Sequence, residues 1–351
     1  MQVLKITSQD EGQRLDKFLC KFMAEAPKSF FYKMLRKKNI VLNGKKAEGM
    51  ERLVKGDEIK LFLSDETIAG FRKKLPGTDA LLPGSCNITG ITNITDIKDI
   101  TNILDIIYED NDILIINKPA GVLSQKADKN DISVVEYINA YLKKQPADTD
   151  NYTVFNAGIC NRLDRNTSGL IVAGKTIKGL QSMNSIFKNR ELKKYYLCIV
   201  KGKINSAERL DGYLVKNSSH NNVTITQHET KGSSRVITEY TPLQYGKIGS
   251  NIYTLLKVHL VTGKAHQIRA HLKSTGHPLA GDAKYGHKDI YQIFKQKFGL
   301  KHQLLHAWRL EFGTSGNIPE KYQGMVFEAP LPEEFTSIME GIGMDVTALR
   351  R

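Results

Sequence analysis

The stretch Cys160-Asn-Arg-Leu-Asp-Arg-Asn-Thr-Ser-Gly-Leu170 is the most unusual segment of the 351-residue chain. Asp164 stands between Arg162 and Arg165, ahead of a Thr167-Ser168-Gly169 turn. An aspartate beside two guanidiniums is expected to keep a lowered pKa and stay ionised, as a nucleophile or base must. The same spelling also suits a turn aspartate in a surface ion pair. Further on, His259 to His271 encloses Arg269, whose fixed guanidinium can pair bidentately with a carboxylate or phosphate. His266, His271 and His277 invite a metal reading. Their spacings of five and six miss the i, i+4 pair of a helical zinc site, and no acidic partner stands beside them, so no metal is expected. Walker A, dinucleotide-fingerprint and nucleophile-elbow spellings do not occur, so NTP, NAD and α/β-hydrolase chemistry lack support.

Elements must hold these groups in place, and the composition allows a folded protein. Hydrophobic residues make up 40% and charged residues 25%, with 51 Lys and Arg against 37 Asp and Glu. The net charge of +14 favours a polyanionic partner. No run approaches 18 apolar residues, and the N-terminal MQVLKITSQDEGQRLDKFL has no apolar core, so neither a membrane span nor secretion is expected. Four scattered cysteines without a C-x-x-C read as small buried residues of a reduced, cytoplasmic protein.

Charge divides the chain. Residues 1–75 hold 17 Lys and Arg against 10 Asp and Glu, half of the net charge in a fifth of the length. Leu15, Phe18, Leu19 and Phe22 follow the i, i+3, i+4, i+7 pattern of an amphipathic helix. A second helix is expected over FFYKMLRKK with Ser29 as its cap, then a hairpin through Asn43-Gly44. Lys33, Arg36, Lys37, Lys38 and Lys45 on this helix and turn could follow a phosphate backbone. From 76 to 105 the expectation is a linker or insertion, because isoleucine recurs every third residue from Ile88 to Ile103, a period that fits neither helix nor strand. Residues 106–340 read as α+β. Helices are expected near 133–143, 177–189, 265–275 and 289–297 among many successive strands, which points to a mixed, mainly antiparallel sheet.

GQRLDKFL, PKSFFYKMLRKKNIVLNGKK and LVKGDEI together resemble the S4 RNA-binding domain over residues 11–63. IIYEDNDILIINKPAGVLS, NRLDRNTSGL, KKYYLCIVKG, LVTGKAHQIRAHLKSTGHPLAGDAKYG and LLHAWRLEF, in that order over about 106–335, are similar to the RluA family of RNA pseudouridine synthases. An S4-like segment in front resembles the arrangement of the members that act on large-subunit ribosomal RNA, and PKSFFYKMLRKK is most similar to the RluC branch.

The resemblance implies cofactor-free isomerisation of uridine to pseudouridine in RNA, most directly 23S ribosomal RNA; a monomer is the default expectation. It makes Asp164 the essential aspartate, which attacks C1′ or takes the 2′ proton. Tyr196 matches the tyrosine that stacks on the target base and assists at C5, with Tyr195 as the out-of-register alternative. Arg269 matches the arginine that pairs with the aspartate, and Arg162 the arginine that fills the gap left by a flipped uridine. Two departures occur: Asn161 replaces a common histidine, and Gly263-Lys-Ala-His-Gln267 replaces Gly-Arg-Thr-His-Gln. The competing readings are the same reaction on tRNA, a catalytically silent RNA-binding or assembly factor, and a glycosidase-like hydrolase that would need a second carboxylate.

Overall fold

The computed structural model describes residues 1–72, 104–128, 130–144, 155–217, 222–314 and 316–350. The triplet-isoleucine run and Cys86 lie outside the described residues.

The first 72 residues build a small four-stranded antiparallel sheet with three helices: β1 (Gln2–Lys5), α1 (Leu15–Phe22), α2 (Lys28–Arg36), β2 (Ile40–Leu42), β3 (Lys45–Lys46), β4 (Glu58–Leu61) and α3 (Asp65–Phe71). The strand order is β1-β4-β2-β3. All four apolar positions named for α1 are buried in one cluster with Phe31, Leu35, Ile40 and Ile59. Asn43 and Gly44 both take positive φ, +50° and +72°, as a two-residue hairpin turn of the twisted kind demands. Helix α2 begins two residues earlier than expected: Pro27, not Ser29, is its cap residue, and Ser29 lies in the first turn without a capping bond. Proline fixes the extended backbone that enters the helix, so no side-chain acceptor is needed to define the start.

The rest forms one eleven-stranded sheet. In chain order come β5 (Asp105–Glu109), β6 (Ile113–Lys118), α4 (Val134–Lys144), β7 (Gly158–Ile159), β8 (Ser168–Gly174), α5 (Ile177–Asn189), β9 (Leu192–Lys201), β10 (Glu208–Asn217), β11 (Asn222–Thr226), β12 (Ser234–Ile248) and β13 (Asn251–Leu260). Then follow α6 (Gln267–Ser274), α7 (Lys288–Phe298), β14 (Leu305–Phe312), β15 (Val326–Glu328) and α8 (Glu333–Gly341). The path is β11-β10-β12-β13-β9-β14-β8-β6-β5, with β15 on β14 and β7 on β8. Every pairing is antiparallel except β14 with β8, so the sheet is mixed and mainly antiparallel. Strand β8 is buried along its whole length, which explains its unalternating Leu-Ile-Val-Ala spelling. Strands β1, β7, β10, β14 and β15 and helices α3 and α8 go beyond the elements expected from sequence.

Candidate active site

Asp164 sits on the loop between β7 and β8, and that loop is pinned residue by residue. The Asn161 side chain donates to the Leu170 carbonyl (3.0 Å) and accepts from the Val172 amide (2.8 Å). Ser124 Oγ donates to the Leu163 carbonyl at 2.7 Å and accepts from its amide at 3.0 Å. Lys118, wholly buried at the end of β6, points its ammonium at the carbonyls of Pro119, Val122 and Arg165 (2.8, 2.9 and 3.0 Å). Burial pulls its pKa down to about 7, against the opposing pull of the nearby Asp164 charge. The Thr167 amide closes a turn on the Asp164 carbonyl at 3.0 Å.

The small residues after the aspartate have a packing reason. Gly169 has φ +112°, and a Cβ there would fall 2.2 Å from the Ala307 carbonyl oxygen. Only glycine lets β8 and β14 approach this closely. Beside it, Ser168 Oγ meets His306 Nδ1 at 2.8 Å, while His306 Nε2 faces the Ala329 carbonyl at 3.3 Å. Burial lowers the His306 pKa to about 4, so the ring is neutral, with Nε2 donating and Nδ1 accepting from serine.

Three elements converge on the carboxylate. From α6, Arg269 Nη1 donates to Asp164 Oδ2 at 3.0 Å. His266, the cap residue of the same helix, holds a left-handed backbone (φ +57°) and brings Nε2 to 3.8 Å from the same oxygen. Burial lowers the His266 pKa, opposed by Asp164 and reinforced by Arg269. From β9 comes Tyr196, 7% exposed and in one buried cluster with Leu163, Ile268 and Leu272. Burial, then the Asp164 charge, push its hydroxyl well above the usual phenol range, so it stays protonated at neutral pH.

The structure thus brings Asp164, Tyr196 and Arg269 together. Tyr195 turns to the opposite face of β9, where it stacks on His259 with ring centroids 5.1 Å apart. One expectation needs correction: the flanking arginines do not pair with Asp164. Arg162 and Arg165 are exposed, and the guanidinium on the carboxylate comes from Arg269, 105 residues away in sequence. A short loop lets adjacent side chains diverge, so sequence neighbours need not meet. Lys33, Arg36, Lys37, Lys38 and Lys45 are all exposed and have no ion-pair partner among the described residues. Lys33, Arg36 and Lys37 follow an i, i+3, i+4 spacing on α2, and Phe31, Met34 and Leu35 are its buried positions. The three histidines that invited a metal reading have separate partners: Tyr285 for His266, Thr238 for His271 and the Lys201 carbonyl for His277.

Sequence reasoning missed Lys118, Asp282 and Tyr285. Asp282 is fully buried and takes Arg269 Nε at 2.7 Å and Nη2 at 2.9 Å. Tyr285 lies under the same guanidinium, 4.9 Å from ring centroid to Cζ, and its hydroxyl meets His266 Nδ1 at 2.9 Å. The signal was within Leu-Ala-Gly-Asp-Ala-Lys-Tyr-Gly, a run of small residues and one buried-type acid after α6.

Residues 112–274 match the family described as RNA pseudouridylate synthase. An uncharacterized RNA pseudouridine synthase of Mycoplasma genitalium is 30% identical over 310 residues, covering 88% of each chain. Ribosomal large subunit pseudouridine synthase C of Escherichia coli strain K12 is 28% identical over 335 residues, covering 95% of this chain and 94% of that one. Among solved structures, human RNA pseudouridylate synthase domain containing 4 shares the fold, with a TM-score of 0.56 at 19% identity over 71% of this chain and 96% of that one. A carboxylate fixed in a rigid loop and held by an arginine beside a buried tyrosine is here joined to relatives aligned along nearly the whole chain, and the protein belongs to the RluA family of RNA pseudouridine synthases.

Proposed function

We propose that this isomerase converts uridines of large-subunit ribosomal RNA to pseudouridine, with Asp164 as its reacting carboxylate. The observation that carries the reading is the Asp164–Arg269 bond at 3.0 Å, made by a carboxylate that remains 22% exposed while its partner is 9% exposed. The guanidinium orients the carboxylate, and the exposed portion can meet a ribose. The carboxylate then attacks C1′ or takes the 2′ proton, the base detaches, turns and rejoins through C5. The C5 hydrogen leaves as a proton. Tyr196, protonated and beside the carboxylate, can donate or relay a proton but cannot serve as a standing phenolate. Exposed and with no ion-pair partner among the described residues, Arg162 can occupy the space of an extruded uridine.

The RNA assignment of the substrate rests on the RluC-named relatives, and the exposed cations of the N-terminal segment support it. Residues 11–63 fit an S4-type RNA-binding domain, with Lys33, Arg36, Lys37, Lys38 and Lys45 on the phosphate backbone. A cytoplasmic monomer without cofactor completes the reading. A two-carboxylate hydrolase gains nothing from Asp282, because both of its oxygens are occupied and it is shielded from solvent. Tritium release from C5-labelled uridine in 23S ribosomal RNA and tRNA transcripts tests the substrate. Release from the ribosomal transcript alone is expected; release from tRNA alone would reassign it.

A further inference from the structure

Arg269 is held far more firmly than a surface ion pair would be. Its Nε and Nη2 make two parallel hydrogen bonds to Asp282, the ring of Tyr285 covers one face, and Nη1 remains for Asp164. Asp282 is itself fixed: its Oδ1 also accepts the amides of Lys284 (2.9 Å) and Tyr285 (3.0 Å), and its side chain is fully buried. Tyr285 is anchored through its hydroxyl, which accepts the Val223 amide at 3.0 Å. A buried carboxylate is costly to desolvate unless paired, so a chain that needed only to fold could fill this site with apolar groups. What the buried acid supplies is direction. An unbraced arginine samples many rotamers, whereas a side-on carboxylate fixes the plane of the guanidinium.

Charge points the same way. Asp164, Arg269 and Asp282 together carry one net negative charge. A one-to-one pair would neutralise Asp164; sharing the guanidinium between two acids leaves the exposed carboxylate with anionic character for its reaction.

We propose that Asp282 is a positioning residue of the reaction, acting through Arg269 to hold its Nη1 on the Asp164 carboxylate. This rests on the reading of Asp164 as the reacting group. Asp282→Asn is the informative change. Its remaining oxygen can still accept the Lys284 and Tyr285 amides, while the new amide N–H confronts Arg269 Nε–H and turns the guanidinium away.

Single-turnover tritium release from 23S transcript at saturating enzyme is expected to slow by about 100-fold in Asp282→Asn, the scale of a one-ångström misplacement. RNA affinity should stay within about twofold of wild type. In an Arg269→Ala background the same change should cost less than about threefold more, because the route of its action is gone. A purely structural role would instead multiply the two losses, and that result, or a wild-type rate in folded Asp282→Asn, overturns the proposal. Should Asp282→Asn not fold, the Arg269 Nε–H resonance of the wild-type enzyme decides. A slowly exchanging, hydrogen-bonded proton is expected, and rapid exchange with free rotation overturns it. The underlying reading fails separately: turnover by Asp164→Asn removes that reading, whereas turnover by Asp282→Asn beside an inactive Asp164→Asn removes only the role of Asp282.

Discussion

Two regions of the molecule treat charge in opposite ways. On α2, the turn that ends it and the β2–β3 hairpin, Lys33, Arg36, Lys37, Lys38 and Lys45 stand in solvent with no acid beside them among the described residues. Around Asp164 the buried charges are committed: Arg269 serves two carboxylates, Asp282 is filled by two donors of arginine and two amides, and Lys118 is ringed by three carbonyls. Cations that must release counterions to a long polyanion work best unpaired and mobile. Groups that must meet one atom at one distance work best when their surroundings leave them a single arrangement. The same residue types therefore serve affinity in one place and geometry in the other.

The contrast can be broken most severely at the pinned loop. Gly169→Ala would press a methyl onto the Ala307 backbone at a φ few L residues adopt, and a loss of about 3 kcal/mol or more is expected in denaturant unfolding, with activity falling alongside. Lys118→Met would strand three carbonyls, with an expected cost of about 3 kcal/mol and a slower chemical step at unchanged RNA affinity. A stable, fully active Lys118→Met would show that the loop needs no such pin.

Acid should act on the catalytic region through its neutral histidines. Burial holds His306 and His271 at about 4, well below the 6.5 of an unfolded histidine. The unfolded chain then takes up protons that the native state refuses. Stability is whole above about pH 6.5, falls as pH drops towards 4, and levels off below, with about 3 kcal/mol at stake for His306. Equilibrium unfolding against pH checks this, and His306→Gln should flatten the slope in that window.

The smallest effects belong to the exposed cations. Each change of Lys33, Arg36 or Lys37 to Ala should weaken RNA binding a few-fold and reduce the salt slope by about one, leaving the rate at saturation unchanged. An altered saturated rate would mean that these side chains do more than hold the backbone.

Much of this contrast was legible in the sequence. Leu15, Phe18, Leu19 and Phe22 announced α1 because helical periodicity is local, and Asn43-Gly44 announced the hairpin because only such residues take positive φ twice in succession. Strand β10 stayed hidden because Arg209 and Asp211 interrupt its apolar spelling, and their partners Glu239 and Arg235 lie on the neighbouring β12. Spacing alone offered Asp164 only Arg162 and Arg165, since spacing reports what is adjacent in the chain and not what folds against it; Arg269 entered as its partner through the family resemblance. Asp282 was invisible for the same reason: its meaning is its grip on Arg269, which exists only once α6 and the turn after it are packed together.

The most direct measurement is single-turnover tritium release from C5-labelled uridine in 23S ribosomal RNA, wild type beside Asp164→Asn, with RNA affinity measured on both. Release by the wild type, abolished in a variant that still binds RNA with nearly unchanged affinity, is the expected result. Equal release by both would contradict the assignment of Asp164 as the reacting carboxylate.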